Sequence, residues 1–173
     1  LLMSTKSPHT LAEAMLLLRQ RGFHIRCSFA GGSFQKEYFI AIRDFLYRHN
    51  LYHDVIFCGQ LSRKVLARFF RLNHVAVFTS TYPEAFGIVA AEAMAAGLVL
   101  VSSGVGGAAE LFEDGVSGLR FCPGDSNDLA DRLQSLMTYS PLKMREIARR
   151  GEEMVHSRFS VRNSARQLVA LFG

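Results

Sequence analysis

Apolar positions along the chain follow two different periods. Short, continuous apolar runs predict strands at 25–30, 55–57, 75–79, 98–102 and 118–121. Between them, apolar residues recur every three or four positions and predict helices around 11–18, 38–46, 62–70, 86–96, 108–112, 129–137, 144–155 and 161–172. This alternation predicts an α/β domain, with a doubly wound, mostly parallel sheet covered by helices on both faces. The run at 98–102 is apolar almost throughout, which is typical of a strand buried on both faces.

Local boundary residues agree with these elements. Ser62 is a candidate N-cap, and Ser140 followed by Pro141 supplies a cap and a first-turn proline. Gly97 ends the helix at 86–96, and a glycine-rich turn occupies 104–107. No internal repeat or linker interrupts the pattern, so the sequence predicts one domain over residues 1–173.

Composition narrows the class of protein. Hydrophobic residues make up 49% of the 173 residues and charged residues 20%, as in soluble globular domains. No apolar run reaches the roughly 18 residues that a membrane-spanning helix needs. The net charge of +5 is compatible with anionic partners, but composition alone favours a merely soluble basic surface. Cys27, Cys58 and Cys122 form no CxxC pair, which indicates a reducing, cytoplasmic compartment.

The most informative stretch is 82–97, which carries two carboxylates eight positions apart, Glu84 and Glu92. With a helix from Phe86, the rise to Glu92 is about 9 Å, close to the length of a diphosphate between two sugar rings. The start of that helix offers free N–H groups to phosphate oxygens, and Gly87 lacks a Cβ that would obstruct a ligand. The same pattern also fits an acid favoured by the helix dipole together with a solvated one.

The stretch 82–97 resembles the Glu-x7-Glu signature of glycosyltransferase family 4, retaining enzymes of the GT-B architecture. The resemblance continues through 101–110, 113–119 and 123–125, and upstream through 29–32 and 56–59. It covers nearly the whole chain in order. It implies a Rossmann-like, carboxyl-terminal donor domain that binds a UDP- or GDP-linked sugar and transfers a hexose-type sugar without a cofactor or metal.

The resemblance also implies roles for particular residues. Glu84 matches the glutamate near the transferred sugar, Glu92 the one that binds the ribose hydroxyls, and Lys6 the lysine that neutralises the donor diphosphate. A cation there would stabilise the departing nucleoside diphosphate. The remaining donor-binding candidates are loop and helix-start positions whose backbone approaches the donor: Gly31, Gly32, Phe86, Gly87 and Ile88.

The chain departs from the family pattern in three places. Leu1 stands where the family has an arginine, and Ser7 where it usually has glycine. The family's first strand and its amino-terminal acceptor domain have no counterpart in residues 1–173. We therefore expect a piece of a longer enzyme that binds donor but is inactive alone, with the amino-terminal domain of the same parent chain as its partner.

Other chemistries find less support. The histidines form no HExxH motif, and the pair His49 and His53 straddles an expected helix end. We expect no metal and no nucleic acid, an unidentified acceptor, and a cytoplasmic location that allows peripheral contact with the inner face of a membrane. Two alternatives remain open: a degenerate, non-catalytic module of the same fold, and a nucleotide-sugar epimerase.

Overall fold

A computed structural model describes residues 2–33, 35–159 and 169–170. Within them, helices and strands alternate as expected. The helices are α1 (Pro8–Gln20), α2 (Lys36–Arg48), α3 (Arg63–Phe70), α4 (Ile88–Ala95), α5 (Ser126–Thr138) and α6 (Pro141–Phe159). The strands are β1 (Cys27–Ala30), β2 (Val55–Gly59), β3 (Val75–Phe78), β4 (Val99–Ser102) and β5 (Leu119–Arg120). The helix predicted at 161–172 falls outside the described residues apart from 169–170, which are helical.

Side-chain caps fix where three helices begin. Ser62 Oγ accepts a hydrogen bond from the N–H of Val65 at 3.5 Å, and Ser140 Oγ one from the N–H of Lys143 at 3.2 Å. Both caps were predicted. The carboxylate of Asp125 accepts two backbone N–H groups at the start of α5, at 2.9 and 3.0 Å, and this cap was missed. In each case the side chain satisfies N–H groups that have no partner inside the helix.

All strand pairs are parallel, but they form two sheets. β1 pairs with β2, and β3, β4 and β5 form the second sheet in that order. No ladder joins β1 to β3 in the described part of the chain. The strand predicted at 118–121 shrinks to Leu119–Arg120, because it pairs only with Val101 and Ser102.

The two faces of β4 show why the chain folds into layers. Val99 and Val101 pack into a core cluster with residues of α1, α2 and α5. Leu100 points the other way, into a cluster with residues of α4 and α6. All four residues of β4 are buried, so the strand lies between two helical layers. The predicted α/β class with helices on both sides of a parallel sheet is confirmed.

The segment from Leu2 to Lys6 runs along the carboxyl ends of both sheets. The N–H of Leu2 donates to the carbonyl of Gly32, after β1, at 2.9 Å. The N–H of Thr81, after β3, donates to the carbonyl of Thr5 at 3.1 Å. The two sheets therefore present their carboxyl ends to one shared segment, which is where open parallel sheets bind ligands.

Two predicted helix boundaries were wrong. α4 begins at Ile88 and not at Phe86, because Gly87 has a left-handed backbone with φ of 83° and ψ of 48°. The short helix predicted at 108–112 is a 3₁₀ turn, Gly107–Glu110. None of the described helices combines the length and the apolar character that spanning a membrane requires.

α6 packs tightly against the core at Gly151. A Cβ placed there would lie 2.8 Å from the carbonyl oxygen of Ser117 and 3.1 Å from Cε of Met94 on α4. Gly151 is buried. Its missing side chain thus allows α6 to approach α4 and the turn before β5.

We predict that Gly151→Ala destabilises the domain. In an exposed helix this change stabilises by about 1 kcal/mol. Here the added methyl group meets a backbone oxygen, and overpacking of this kind costs about 1–3 kcal/mol. Urea denaturation should show a lower midpoint, with Glu152→Ala on the same helix as the control. A raised midpoint for Gly151→Ala would contradict the packing.

Candidate functional site

The loop between β3 and α4 places Glu84 against a second, glycine-rich loop. The N–H of Glu84 donates to the carbonyl of Val105 at 3.2 Å, and the N–H of Gly107 donates to the carbonyl of Glu84 at 2.8 Å. A Cβ on Gly106 would lie 2.5 Å from the carbonyl oxygen of Glu84, and Gly106 has φ of 71°. Both the space and the backbone conformation therefore require glycine, and the two loops hold Glu84 in a fixed position.

The Glu84 carboxylate has two side-chain donors. Lys6 Nζ and Ser80 Oγ both donate short hydrogen bonds to Oε1. Among the residues that the structure describes, none donates to Oε2. The side chain of Glu84 is 23% exposed and that of Lys6 is 37% exposed, so the pair lies at the surface of the site. The structure thus brings together two residues that lie far apart in the sequence.

These contacts keep Glu84 ionised. Partial burial acts to raise its pKa, but the hydrogen bonds from Lys6 and Ser80, together with the positive charge of Lys6, outweigh burial and lower the pKa below its ordinary value. At neutral pH the residue is therefore a carboxylate, able only to accept hydrogen bonds.

Lys6 is positioned by the residues that follow β3. The hydroxyl of Thr79 donates to the carbonyl of Lys6 at 2.6 Å. The hydroxyls of Ser7 and Thr81 lie 2.9 Å apart and share a hydrogen bond. Ser7 is buried and has a left-handed backbone, with φ of 46° and ψ of 45°. A left-handed backbone favours glycine. The hydrogen bond between the hydroxyls of Ser7 and Thr81 helps to hold Ser7 in that conformation.

The start of α4 presents unused backbone donors. In the described residues, the N–H groups of Ile88 and Val89 donate to no protein acceptor, as expected for the first turn of a helix. Ile88 is 63% exposed, so this end of the helix is open to a ligand. The ring of Phe86 packs edge-on against Phe159 at 4.9 Å, which directs its side chain toward α6.

Glu92 lies one turn further along α4 and is partly exposed. No donor contacts its carboxylate within the described part of the chain, so it is available to a ligand. Because the helix begins at Ile88, the helical rise to Glu92 is about 6 Å. The rise of about 9 Å expected from the sequence was therefore too long.

Gly31 and Gly32 lie at the carboxyl end of β1. Gly31 has φ of 137°, and its N–H donates to the carbonyl of Gly59, after β2, at 2.7 Å. Within the described ranges, no hydrogen bond joins this pair to Glu84 or to Glu92. Their connection to the rest of the site runs through the segment that begins at Leu2.

Sequence reasoning missed two sets of supporting residues. One set is the run of hydroxyl residues at 79–81, which directly follows the apolar run of β3. That position was a signal that could have been used. Arg120 was also missed: it donates to the carbonyls of Gly104 and Ala109, each at 3.2 Å, and lies 4.9 Å from the ring centre of Phe112. It braces the glycine-rich loop that contacts Glu84.

Two further expectations concern metals and the position of Leu1. The described residues contain no group of three or more histidine, cysteine, aspartate or glutamate side chains that could hold a metal ion. Leu1, at the position of the family arginine, lies outside the described residues.

Comparisons with known proteins agree on one family. The model for "Glycosyl transferases group 1" matches residues 2–154. An uncharacterised glycosyltransferase of Methanocaldococcus jannaschii is 31% identical over 144 residues, which cover 83% of this chain and 35% of that protein. The glycogen synthase of Mycobacterium tuberculosis is 30% identical over 154 residues, which cover 89% of this chain and 36% of that enzyme. The chain thus spans about a third of these relatives.

Solved structures show the same relationship. HepE of Anabaena, in complex with UDP and glucose, superposes with a TM-score of 0.89 at 26% identity, covering 99% of this chain and 46% of HepE. The sucrose-phosphate synthase of Thermosynechococcus elongatus superposes with a TM-score of 0.87 at 30% identity, covering 99% of this chain and 42% of that enzyme.

Glu84 should make stability depend on pH in the acid range. Its pKa is lowered on folding, so its contribution is complete above the pKa of the unfolded chain and is lost as the pH falls through the folded value. We predict that Glu84→Gln destabilises the domain by about 1 kcal/mol near pH 7, because the pair is partly exposed. This difference should shrink as the pH falls through the lowered pKa of the folded state.

Urea denaturation at a series of pH values from neutral to acid measures this, with Glu152→Gln as the matched control. A difference between wild type and Glu84→Gln that stays constant as the pH falls would rule out a stabilising ionised Glu84.

Proposed function

Because the chain belongs to the glycosyl transferases group 1 family, we propose that it is the donor-binding domain of a retaining glycosyltransferase. The enzyme would transfer a hexose-type sugar from a nucleoside-diphosphate sugar to an acceptor that the site does not identify. The observation that supports this most is the Lys6–Glu84 pair, in which Glu84 lies on the loop leading into the open start of α4 and Lys6 reaches it from the segment before α1. UDP is the favoured nucleotide, since HepE has been solved with UDP and with UDP-glucose.

Charge complementarity supports diphosphate binding at this site. The N–H groups of Ile88 and Val89 lack protein acceptors and lie at the positive end of the α4 dipole, which suits phosphate oxygens. Lys6 adds a full positive charge. When the bond between the sugar and the diphosphate breaks, negative charge grows on the departing phosphate. Groups already aimed at that charge lower the barrier. We assign this neutralising role to Lys6 and not to a divalent metal ion.

The two carboxylates suit the two sugar rings of a donor. Oε2 of Glu84 accepts no hydrogen bond from the described residues and can receive one from a hydroxyl of the transferred sugar. Glu92 lies on the first turns of the same helix with a free carboxylate, and we assign it to the ribose hydroxyls. Gly31, Gly32, Phe86 and Gly87 would approach the donor through their backbone.

The split sheet supports the proposal that a longer parent chain completes this domain. In the described part of the chain no ladder joins β1 to β3, and the segment from Leu2 to Lys6 connects the carboxyl ends of the two sheets. A strand that precedes Leu2 and runs parallel to both would join the two sheets into one. We also propose a separate amino-terminal domain that binds the acceptor and excludes water, so that residues 1–173 bind donor without efficient transfer.

A reducing, cytoplasmic setting fits the thiols. Cys27, Cys58 and Cys122 are all free. Desolvation, with a smaller contribution from Cys58, raises the pKa of Cys27 to about 12. That thiol is therefore inert toward oxidants that need a thiolate. We propose that the parent enzyme works in the cytoplasm, where it could contact the inner face of a membrane peripherally.

The first prediction concerns donor binding. Calorimetric titration of the chain with UDP, GDP and ADP should show binding of one diphosphate, UDP by preference. Glu92→Ala should weaken that binding about tenfold, the loss expected for about 1.4 kcal/mol of hydrogen bonding to a charged acceptor.

Glu152→Ala, on α6, is the matched control and should bind as wild type does. Equal affinity of Glu92→Ala and wild type would remove Glu92 from the ribose site. Binding of none of the three nucleotides, by this chain and by the longer parent protein, would favour the non-catalytic alternative.

The second prediction concerns the sheet. In the chain of residues 1–173, the amides of β1 and β3 that point toward the gap should exchange with solvent hydrogen faster than the paired amides of β4, because nothing covers them. In a longer parent protein the same amides should be protected by at least about tenfold, which hydrogen-exchange mass spectrometry can measure. Unchanged exchange in the parent would mean that no strand fills the gap.

A further inference from the structure

We propose that Ser80 is the positioning residue for Glu84, and that Lys6 moves from Glu84 to the diphosphate when a donor binds. The inference rests on the donor site proposed above and goes beyond it. It assigns a role to a residue that the signature does not contain, and it identifies the Glu84 carboxylate as the group that holds Lys6 before the exchange.

Ser80 is anchored in the sheet. It is 6% exposed, and its carbonyl accepts a hydrogen bond from the hydroxyl of Ser103 at 2.6 Å. Ser103 is itself 4% exposed, and its N–H donates to the carbonyl of Phe78 at 3.0 Å. The hydroxyl of Ser80 then donates to Oε1 of Glu84. A chain of hydrogen bonds thus connects the carboxyl ends of β3 and β4 directly to the carboxylate.

Lys6 holds the same oxygen from a more adaptable position. Its side chain is 37% exposed and has a flexible four-carbon stem, so its ammonium group can change partner without moving the backbone. Its carbonyl stays fixed by Thr79 during such a change. A diphosphate at the start of α4 carries more negative charge than one carboxylate and competes for the ammonium group.

The two donors therefore differ in what happens on binding. If Lys6 turns to the diphosphate, Glu84 loses a cation and gains a nearby anion, and both changes favour protonation and displacement of the carboxylate. The hydroxyl of Ser80 does not depend on the ligand and stays on Oε1. Oε2 then keeps its direction toward the sugar. UDP, which carries the diphosphate but no sugar to transfer, is enough to trigger the exchange.

A purely structural role for Ser80 predicts something different. A buried hydroxyl that only fills space would change thermal stability when removed and would leave the titration of Glu84 unaltered. The titration of the Glu84 carboxyl, followed by carbon-detected NMR on the chain of residues 1–173, separates the two roles. It needs no catalytic activity.

The ligand-free arm compares wild type, Ser80→Ala, Lys6→Ala and the double variant. We expect Ser80→Ala to raise the pH midpoint of the Glu84 titration. The same substitution made in Lys6→Ala, where Ser80 is the remaining donor, should raise the midpoint by more than it does in wild type. Ser80→Thr keeps the hydroxyl and should restore the wild-type midpoint. Ser135→Ala, a half-buried serine on α5 away from the site, should leave it unchanged. An unshifted midpoint in Ser80→Ala overturns the positioning role.

The second arm repeats the titrations with saturating UDP. We expect the upward shift caused by Ser80→Ala to be larger with UDP than without it, because Lys6 then contacts the diphosphate. An equal shift in both states overturns the exchange of Lys6. If wild type binds no UDP, the proposed donor site and the exchange both fail, while the ligand-free arm still decides the role of Ser80.

Discussion

The site depends on one close contact between two loops, that of the Glu84 loop with the glycine-rich loop after β4. Backbone hydrogen bonds join the loops on both sides of Glu84, to Val105 and from Gly107. A side chain on Gly106 would collide with the Glu84 backbone, so the contact exists only because that residue is glycine. Once Glu84 is fixed in this way, the position of its backbone and the start of α4 are constrained, whereas its carboxylate is held by the side chains of Ser80 and Lys6. The backbone geometry of the proposed donor site is therefore set by packing before any ligand arrives.

The helices and strands could be predicted from the sequence where their side chains are buried on one face or on both faces. β4 is buried on both faces and its run of apolar residues shows this directly. The caps at Ser62 and Ser140 were also predictable, because a hydroxyl before an apolar-periodic segment has a local reason to be there. These features depend on residues close together in the chain. Sequence patterns record such local constraints well.

What could not be predicted depends on contacts between distant segments. The start of α4 was misplaced because Gly87 adopts a left-handed backbone, and periodicity does not distinguish that from a first helical turn. The break between the sheets follows from which strands pair, and the apolar runs of β1 and β3 say nothing about their neighbours. The resemblance indicated Lys6 and Glu84 separately, whereas their ion pair and the hydroxyl of Ser80 appear only once the chain is folded.

The position of Lys6 connects the site to the sheet as a whole. Lys6 ends a short segment that is held at Gly32 beyond one sheet and at Thr81 beyond the other. Its ammonium group can reach Glu84 only while both sheets keep their relative positions. Leu2, at the start of the same segment, lies at the carboxyl end of β1, where its N–H donates to the carbonyl of Gly32. A strand added there would fix the two sheets to each other and with them the distance between the glycine loop after β1 and the carboxylate after β3. The completeness of the sheet and the geometry of the proposed donor site are therefore parts of one constraint, because both act through the residues from Leu2 to Lys6.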